Sequence, residues 1–588
     1  MADIHAGFAG QQLLPDGSVL TCRKLVELYM DRINAIELWP QAGVLPVLAV
    51  LGINPQARQQ ADALDALYAA DGGIGNRPLH CVPMLLKDNY DTFDHPSTSG
   101  SYSMLGHQRA VDAHAVDRLR TAGALILGKA NMDEFALMGL GFSGRGLITS
   151  NPYNTLTLAG GSSSGSGAGV AASFAAIGTG TDTCGSIRFP AAVNGLAALR
   201  PSVGLVSQHG VFPLITARDA PGPMARTLRD MTLALNAMAG EDPRDAKTAG
   251  YSHPVYTTRP SDYTQFLNRT LHGLNGRKLA LVTSFGGVSG AGTGETVALI
   301  QNAIAEMRAL GAEVFEISFP DFVQANPAAT QFEWNQYFRD FEMESGYAAP
   351  RRCMSSIRLA PSLSCVGEDG IIETGLVNPF YEVILAFTAL TTDPNVGPDA
   401  SALAQQAASR AYVEGLMDSF VTPDNQIVRL DALLISPDDN LQSTGTCAFG
   451  STTQMPSLVV PIGKSSDGVP KGIEFMARKW DEPAILGLAY DYEQATGHRF
   501  APTLAANPLA GNLVVEEFNR ARHDLLLAAL NEDPFSVPVT EYLAVLSAYL
   551  AAAPTAAEVQ VFLQTTVDDV SNLLQDTVQQ VKDLLGLP

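Results

Sequence analysis

The sequence predicts an α/β protein followed by a helical C-terminal segment. Three observations carry that prediction. Short apolar runs of strand type alternate with longer amphipathic stretches as far as about Pro502. One stretch, from "RKLALVTSF" through "GETVALIQNAIAEMRALG" to "AEVFEISFP", is an explicit strand–helix–strand unit. After Pro502 only helical periodicity remains. Strands alternating with helices argue for a largely parallel sheet.

The elements follow in order. "LTCRKLVELYMDRINAI", Leu20 to Ile36, has apolar residues at helical spacing, and Thr21 is placed to cap it. "HCVPMLLKDNYD" is a short apolar strand that empties into a polar loop at Lys87. In "VDRLRTAGALILGKANMDEF" a helix ends at Gly123 and "ALILGKA" forms a buried strand. "GVAASFAAIG" reads as a buried helix, and Pro190 as the start of another. "LDALLISP" and "PSLVVPIG" supply late strands, and "PAILGLAYDYEQATGHR" a closing helix. Residues 501–588 hold three Lys/Arg against eleven Asp/Glu, and Leu563, Val567, Val570, Leu574, Val581 and Leu585 recur mostly at three, four or seven. That is an amphipathic helix, docked on its own domain or joining two copies. The expected division is a catalytic domain over 1–505 and a helical extension over 506–588.

The bulk numbers exclude several classes. Hydrophobic residues make up 46% of 588, too many for disorder and enough for a large core. A net charge of −23 repels a phosphate backbone, so no nucleic-acid partner is expected. No run reaches about 18 apolar residues and no leader precedes the first helix, so neither membrane nor export is expected. Cys22, Cys81, Cys184, Cys353, Cys365 and Cys447 lack metal-ligand spacing and suggest reduced thiols in a cytoplasmic protein. No metal or organic cofactor is expected. The chain is expected to be a monomer or homodimer.

"AGGSSSGSGAGVAA", Ala159 to Ala172, is the most unusual stretch. As a flexible linker it is badly placed, because it runs straight into an apolar helix. As a phosphate loop it has Ser166 where a lysine is needed, and Val170 where a dinucleotide fingerprint needs glycine. Gly161 to Gly165 matches GxSxG with Ser163 as nucleophile, and His209, His253, His272, His498 and His523 lie downstream to complete a Ser-His-Asp hydrolase. A fourth reading adds "GTGTDTCGSIRFPAAVNG". There Ser186 follows small residues whose amides can converge as an oxyanion hole. Its base would be Lys87, made neutral by burial, with Ser162 placed to relay the proton.

"VPMLLKDN", "AGGSSSGSGAG" and "GTDTCGSIRFPAAVNGLAALRPS" resemble the defining segments of the amidase signature enzymes. "DAPGPMART" and the stretch from "PSLVVPIG" to "ATGHR" extend the likeness, which covers about Leu20 to Pro502. The resemblance implies a large mixed central β-sheet flanked by α-helices. It also implies a Ser–cis-Ser–Lys triad: Ser186 as nucleophile, Ser162 as the bridge after a cis Gly161–Ser162 bond, and Lys87 as base. The oxyanion donors would be the amides of Thr183, Cys184, Gly185 and Ser186. Asp182 is expected to be structural, and Arg188 to anchor the loop, with a substrate contact as its alternative role. Cys184 departs from the family pattern, either as a small filler or as a reactive thiol.

The implied activity is hydrolysis of linear carboxylic amides through an acyl-enzyme, with C-terminal peptide amides as the nearest substrate class. Aryl acylamides, carbamates and esters remain open. So do a glutamine-hydrolysing amidotransferase component and an inert scaffold of the same fold, though the intact Lys87, Ser162 and Ser186 speak against the scaffold. "MGLGFSGRG" and Phe332 to Phe380 are candidate pocket walls. The aromatics of "QFEWNQYFRDFE" read as core more than as pocket.

Overall fold

In the computed structural model the described residues are 2–8, 17–37, 47–325, 333–340, 397–437 and 444–504, apart from a few single positions inside those ranges. The expected helix over 506–588, His523, Cys353 and Cys365 lie outside them.

Twelve strands among the described residues form one sheet. In chain order they are β1 (Val50–Ile53), β2 (Pro83–Lys87), β3 (Leu125–Ala130), β4 (Ile177–Asp182), β5 (Ala197–Arg200), β6 (Ala220–Ala225), β7 (Lys278–Phe285), β8 (Val288–Ser289), β9 (Glu313–Phe319), β10 (Ala432–Ile435), β11 (Ser457–Lys464) and β12 (Pro470–Met476). Their spatial order is β1-β3-β2-β4-β6-β5-β11-β12-β10-β7-β8, with β9 also on β7. The α/β class is as expected, but the largely parallel sheet is not. Only β2 with β3 and β4, and β7 with β9 and β10, pair in parallel. The middle, from β4 through β12, is antiparallel. Periodicity shows that these runs are buried strands. It does not show that Ser457 lies opposite Arg200, a pairing made across more than 250 residues.

The local expectations translate closely. The first long helix is Cys22–Glu37, and Thr21 Oγ1 caps it by accepting from Lys24 N at 3.1 Å. The strand–helix–strand unit becomes β7, the helix Gly294–Ala309 and β9. The late strands are β10 and β11, and the closing helix is Glu482–Thr496. The helix expected at Pro190 begins two residues earlier, as Arg188–Val193.

Core packs on both faces of the sheet. One face gathers Leu86, Ile126, Leu199 and Phe475 under the helices Leu228–Met238 and Glu482–Thr496. Near the other, Leu85, Leu127 and Ala168 join residues of the helix Cys22–Glu37. The Ser/Gly stretch becomes the helix Ser164–Ala171, all eight residues buried, and the helix expected over "GVAASFAAIG" is corrected: it ends at Ala171, and Ile177 already opens β4. Its glycines permit close backbone approach: a Cβ on Gly165 would meet Ala49 O at 2.3 Å and Asn131 N at 2.4 Å. The linker reading ends there.

The cysteines correct the expectation of reduced thiols throughout. Cys22 and Cys81 form a disulfide with Cα atoms 5.3 Å apart. Cys184 is disulfide-bonded as well. Spacing along the chain carries no signal for a pair that tertiary packing brings together.

Candidate active site

Lys87 ends β2, and the apolar run before it drives the strand into the sheet, so the whole side chain is buried. Its Nζ donates to Ser162 Oγ at 2.7 Å and to Thr181 Oγ1 at 2.8 Å. Burial disfavours the ammonium and pushes the amine down to about 7. The carboxylates of Asp133, Asp182 and Asp219 oppose that shift without cancelling it. Burial therefore favours the neutral amine.

Ser162 follows a cis Gly161–Ser162 peptide, as the family resemblance implies, and is fully buried. Its carbonyl accepts from Asp133 N at 3.0 Å. The Asp133 carboxylate in turn accepts from the amides of Gly139, Leu140, Gly141 and Phe142. Within the expected pocket wall of Met138 to Gly146, Gly139–Phe142 is thus clamped onto the back of Ser162. A side chain on Gly161 would strike that loop, with Gly139 C and Gly141 N at 2.7 Å. Neither Asp133 nor Thr181 stood out in the sequence. The acid in "NMDEF" and the Thr in "GTGTDT" were the available signals.

Ser186 is 7% exposed, and its carbonyl accepts from Ser163 N at 3.2 Å. That bond ties the Ser186 loop to the Ser162 turn. No hydrogen bond joins the Ser186 and Ser162 hydroxyls directly, among those of the described residues. Such links are commonly loose until a substrate closes them. Asp182 organises the loop. Its oxygens accept from Gly185 N at 2.8 Å and Ile187 N at 3.1 Å, and it pairs with Arg188 and Arg200. Burial opposes ionisation of Asp182, but the two guanidiniums outweigh it and hold the carboxyl well below the usual range. Arg188 continues to Glu474 on β12 at 3.1 Å, which makes it the anchor it was expected to be.

Gly185 has φ +96°, and its N–H donates to Asp182 Oδ1 at 2.8 Å. Thr183 is fixed by its hydroxyl, which donates to Asp219. Cys184, being disulfide-bonded, is neither the simple filler nor the reactive thiol expected.

The GxSxG alternative finds no base among the described residues. Ser163 is fully buried, and its hydroxyl bonds the Thr181 backbone. His253 pairs with Asp481 and His498 with Glu306, and no histidine among the described residues is hydrogen-bonded to Ser163. Of "QFEWNQYFRDFE", Trp334 and Phe338 are core beside Phe135 and Phe212, as expected, while Tyr337 also reaches a cleft.

A family model described as Amidase matches residues 25–358. A probable amidase of Arabidopsis thaliana is 33% identical over 83% of this chain and 89% of its own. A glutamyl-tRNA(Gln) amidotransferase subunit of Ralstonia nicotianae is 31% identical over 76% and 90%. Among solved structures, the peptide amidase of Stenotrophomonas maltophilia superposes with a TM-score of 0.68 at 29% identity, covering 85% of this chain and 97% of that one.

Proposed function

The chain belongs to the amidase signature family and is a hydrolase of amide C–N bonds; from that premise we propose that it cleaves linear carboxylic amides through an acyl-enzyme on Ser186, with C-terminal peptide amides as the substrate class. The observation that carries this reading is the buried Lys87 Nζ, 2.7 Å from Ser162 Oγ. The solved peptide amidase, similar over nearly its whole length, supports the substrate class.

In this reading neutral Lys87 takes the Ser162 proton while Ser162 takes that of Ser186. Ser186 attacks the carbonyl carbon. The oxyanion is held by the amides of Thr183, Cys184 and Ser186, on a loop that Asp182 and Arg188 keep rigid. The proton returns through Ser162 to the leaving ammonia or amine. Water then deacylates the serine by the same relay in reverse.

The test is a hydrolysis screen of the purified chain on peptide amides, anilides, carbamates, esters and glutamine. Peptide amides should be turned over fastest. Ser186→Ala should lose at least about 10³-fold in kcat while keeping its fold. A fluorophosphonate should label Ser186, and Lys87→Ala should label far more slowly. An adduct on Ser163 would move the nucleophile. The similarity to an amidotransferase component favours one second reading, glutamine hydrolysis, and steady ammonia release from glutamine by the lone chain would select it.

A further inference from the structure

Thr181, which accepts from Lys87 Nζ, also lines a solvent-open cleft of about 220 Å³. Asp219 lines the same cleft and accepts from Thr183 on the oxyanion loop. The cleft therefore borders both ends of the proposed chemistry, with the segment 333–340 along one side.

Its charges are unbalanced. The three cationic side chains on its wall each have a counter-ion: Arg109 with Asp91 at 3.2 Å, Arg244 with Asp242 at 3.0 Å, and Lys247 with Asp245 at 3.2 Å. Asp219, Glu333 and Asp340 make no salt bridge among the described residues, although Lys87, Arg200 and Arg218 act on Asp219 from behind the wall and Lys247 acts on Glu333 across it. Glu333 is 4% exposed. Its Oε1 accepts from Thr216 N at 3.0 Å and Thr216 Oγ1 at 2.6 Å. Its Oε2 is buried with no hydrogen-bond partner among the described residues. A buried carboxylate oxygen left unsatisfied is costly and calls for a donor. The residue cannot swing away to find one. Trp334 Nε1 donates to Pro213 O at 2.8 Å and Tyr337 Oη to Asp91 Oδ1 at 2.6 Å, which pins its segment down. Burial, with the negative charge of Asp219 added to it, pushes the Glu333 carboxyl up to about 7, and the Thr216 hydrogen bonds and Lys247 oppose that shift without cancelling it. A cation between the two acids would relieve that repulsion.

We propose that this cleft is a subsite for a cationic group of the amide substrate, an alkylammonium or guanidinium, with Glu333 Oε2 as its acceptor and Asp219 as the second negative charge. This rests on the amide-hydrolase reading above and narrows it to amides that carry a positive side chain.

The test compares N-acetyl-lysinamide with N-acetyl-norleucinamide at pH 8, since the two differ little except in the ammonium. The lysine amide should be favoured by about tenfold or more in kcat/KM, mainly through KM, in line with a charged hydrogen bond made in the bound state. In Glu333→Gln that ratio should fall toward one. A wild-type ratio of one or less, or an unchanged ratio in folded Glu333→Gln, overturns the subsite while leaving amide hydrolysis standing. If the variant does not fold, the wild-type ratio decides. If neither amide is hydrolysed, the substrate reading fails, and calorimetric binding of n-butylammonium against n-butanol judges the cleft by itself. Binding of the cation alone, lost in Glu333→Gln, supports it, and no binding overturns it.

Discussion

Asp182 Oδ2 and Arg188 Nε pair at 3.0 Å with neither side chain more than 1% exposed. The pair ties the turn carrying Ser186 to β12 through Glu474. Breaking a buried pair strands a charge, so Asp182→Asn should cost about 3–5 kcal/mol in denaturant unfolding. Arg188→Met combined with it should cost less than the sum of the two singles, because the Asp182–Arg188 attraction is lost only once, even though Glu474 and Arg200 are left without their partners. A single variant that unfolds with the wild type would show that the loop is held by its backbone alone.

The Lys87 amine, lowered to about 7, sets a pH dependence with a definite sign. Only the neutral amine accepts a proton. kcat/KM should therefore fall about tenfold per pH unit below the midpoint and level off above it. Lys87→Ala should lose the limb along with most of the rate. A limb that survives in Lys87→Ala and vanishes when a histidine is replaced would assign the base elsewhere.

The Cys22–Cys81 bond closes a loop across a sequence separation of 59 and ties the start of the helix Cys22–Glu37 to the turn just before β2. Loop closure of this size is worth about 2–4 kcal/mol. Cys22→Ser should melt lower than the wild type, and a thiol reductant should bring the wild type down to the variant. Coincident melts without reductant would show that the thiols are free.

We propose that residues 506–588 form a helical extension with no part in the chemistry. A chain ending at 505 should keep turnover on a small amide, measured beside its thermal melt. A fully folded truncation without activity would show that the extension completes the site.

What the sequence determined by itself was local. The apolar run "VPMLL" buries whatever follows it, so Lys87 is legible as a desolvated amine from the chain alone. The glycines around Ser162 and Ser186 mark two tight turns, and the spacing of several motifs identifies the family. Periodicity places most of the helices and strands within a few residues, because each records its own burial. Tertiary structure decided which of these meet. The antiparallel centre of the sheet, the Cys22–Cys81 bond, the Asp133 clamp on the Gly139–Phe142 loop and the Gly185–Asp182 hydrogen bond depend on partners far away or on the direction of one peptide plane. Hydrogen bonds and ion pairs act within about 3–4 Å, and a linear pattern carries no information at that range about residues hundreds of positions apart. Glu333 shows this most clearly: in the chain it is one acid among aromatics, and only the fold buries one of its oxygens, without a partner among the described residues, on a cleft beside Thr181.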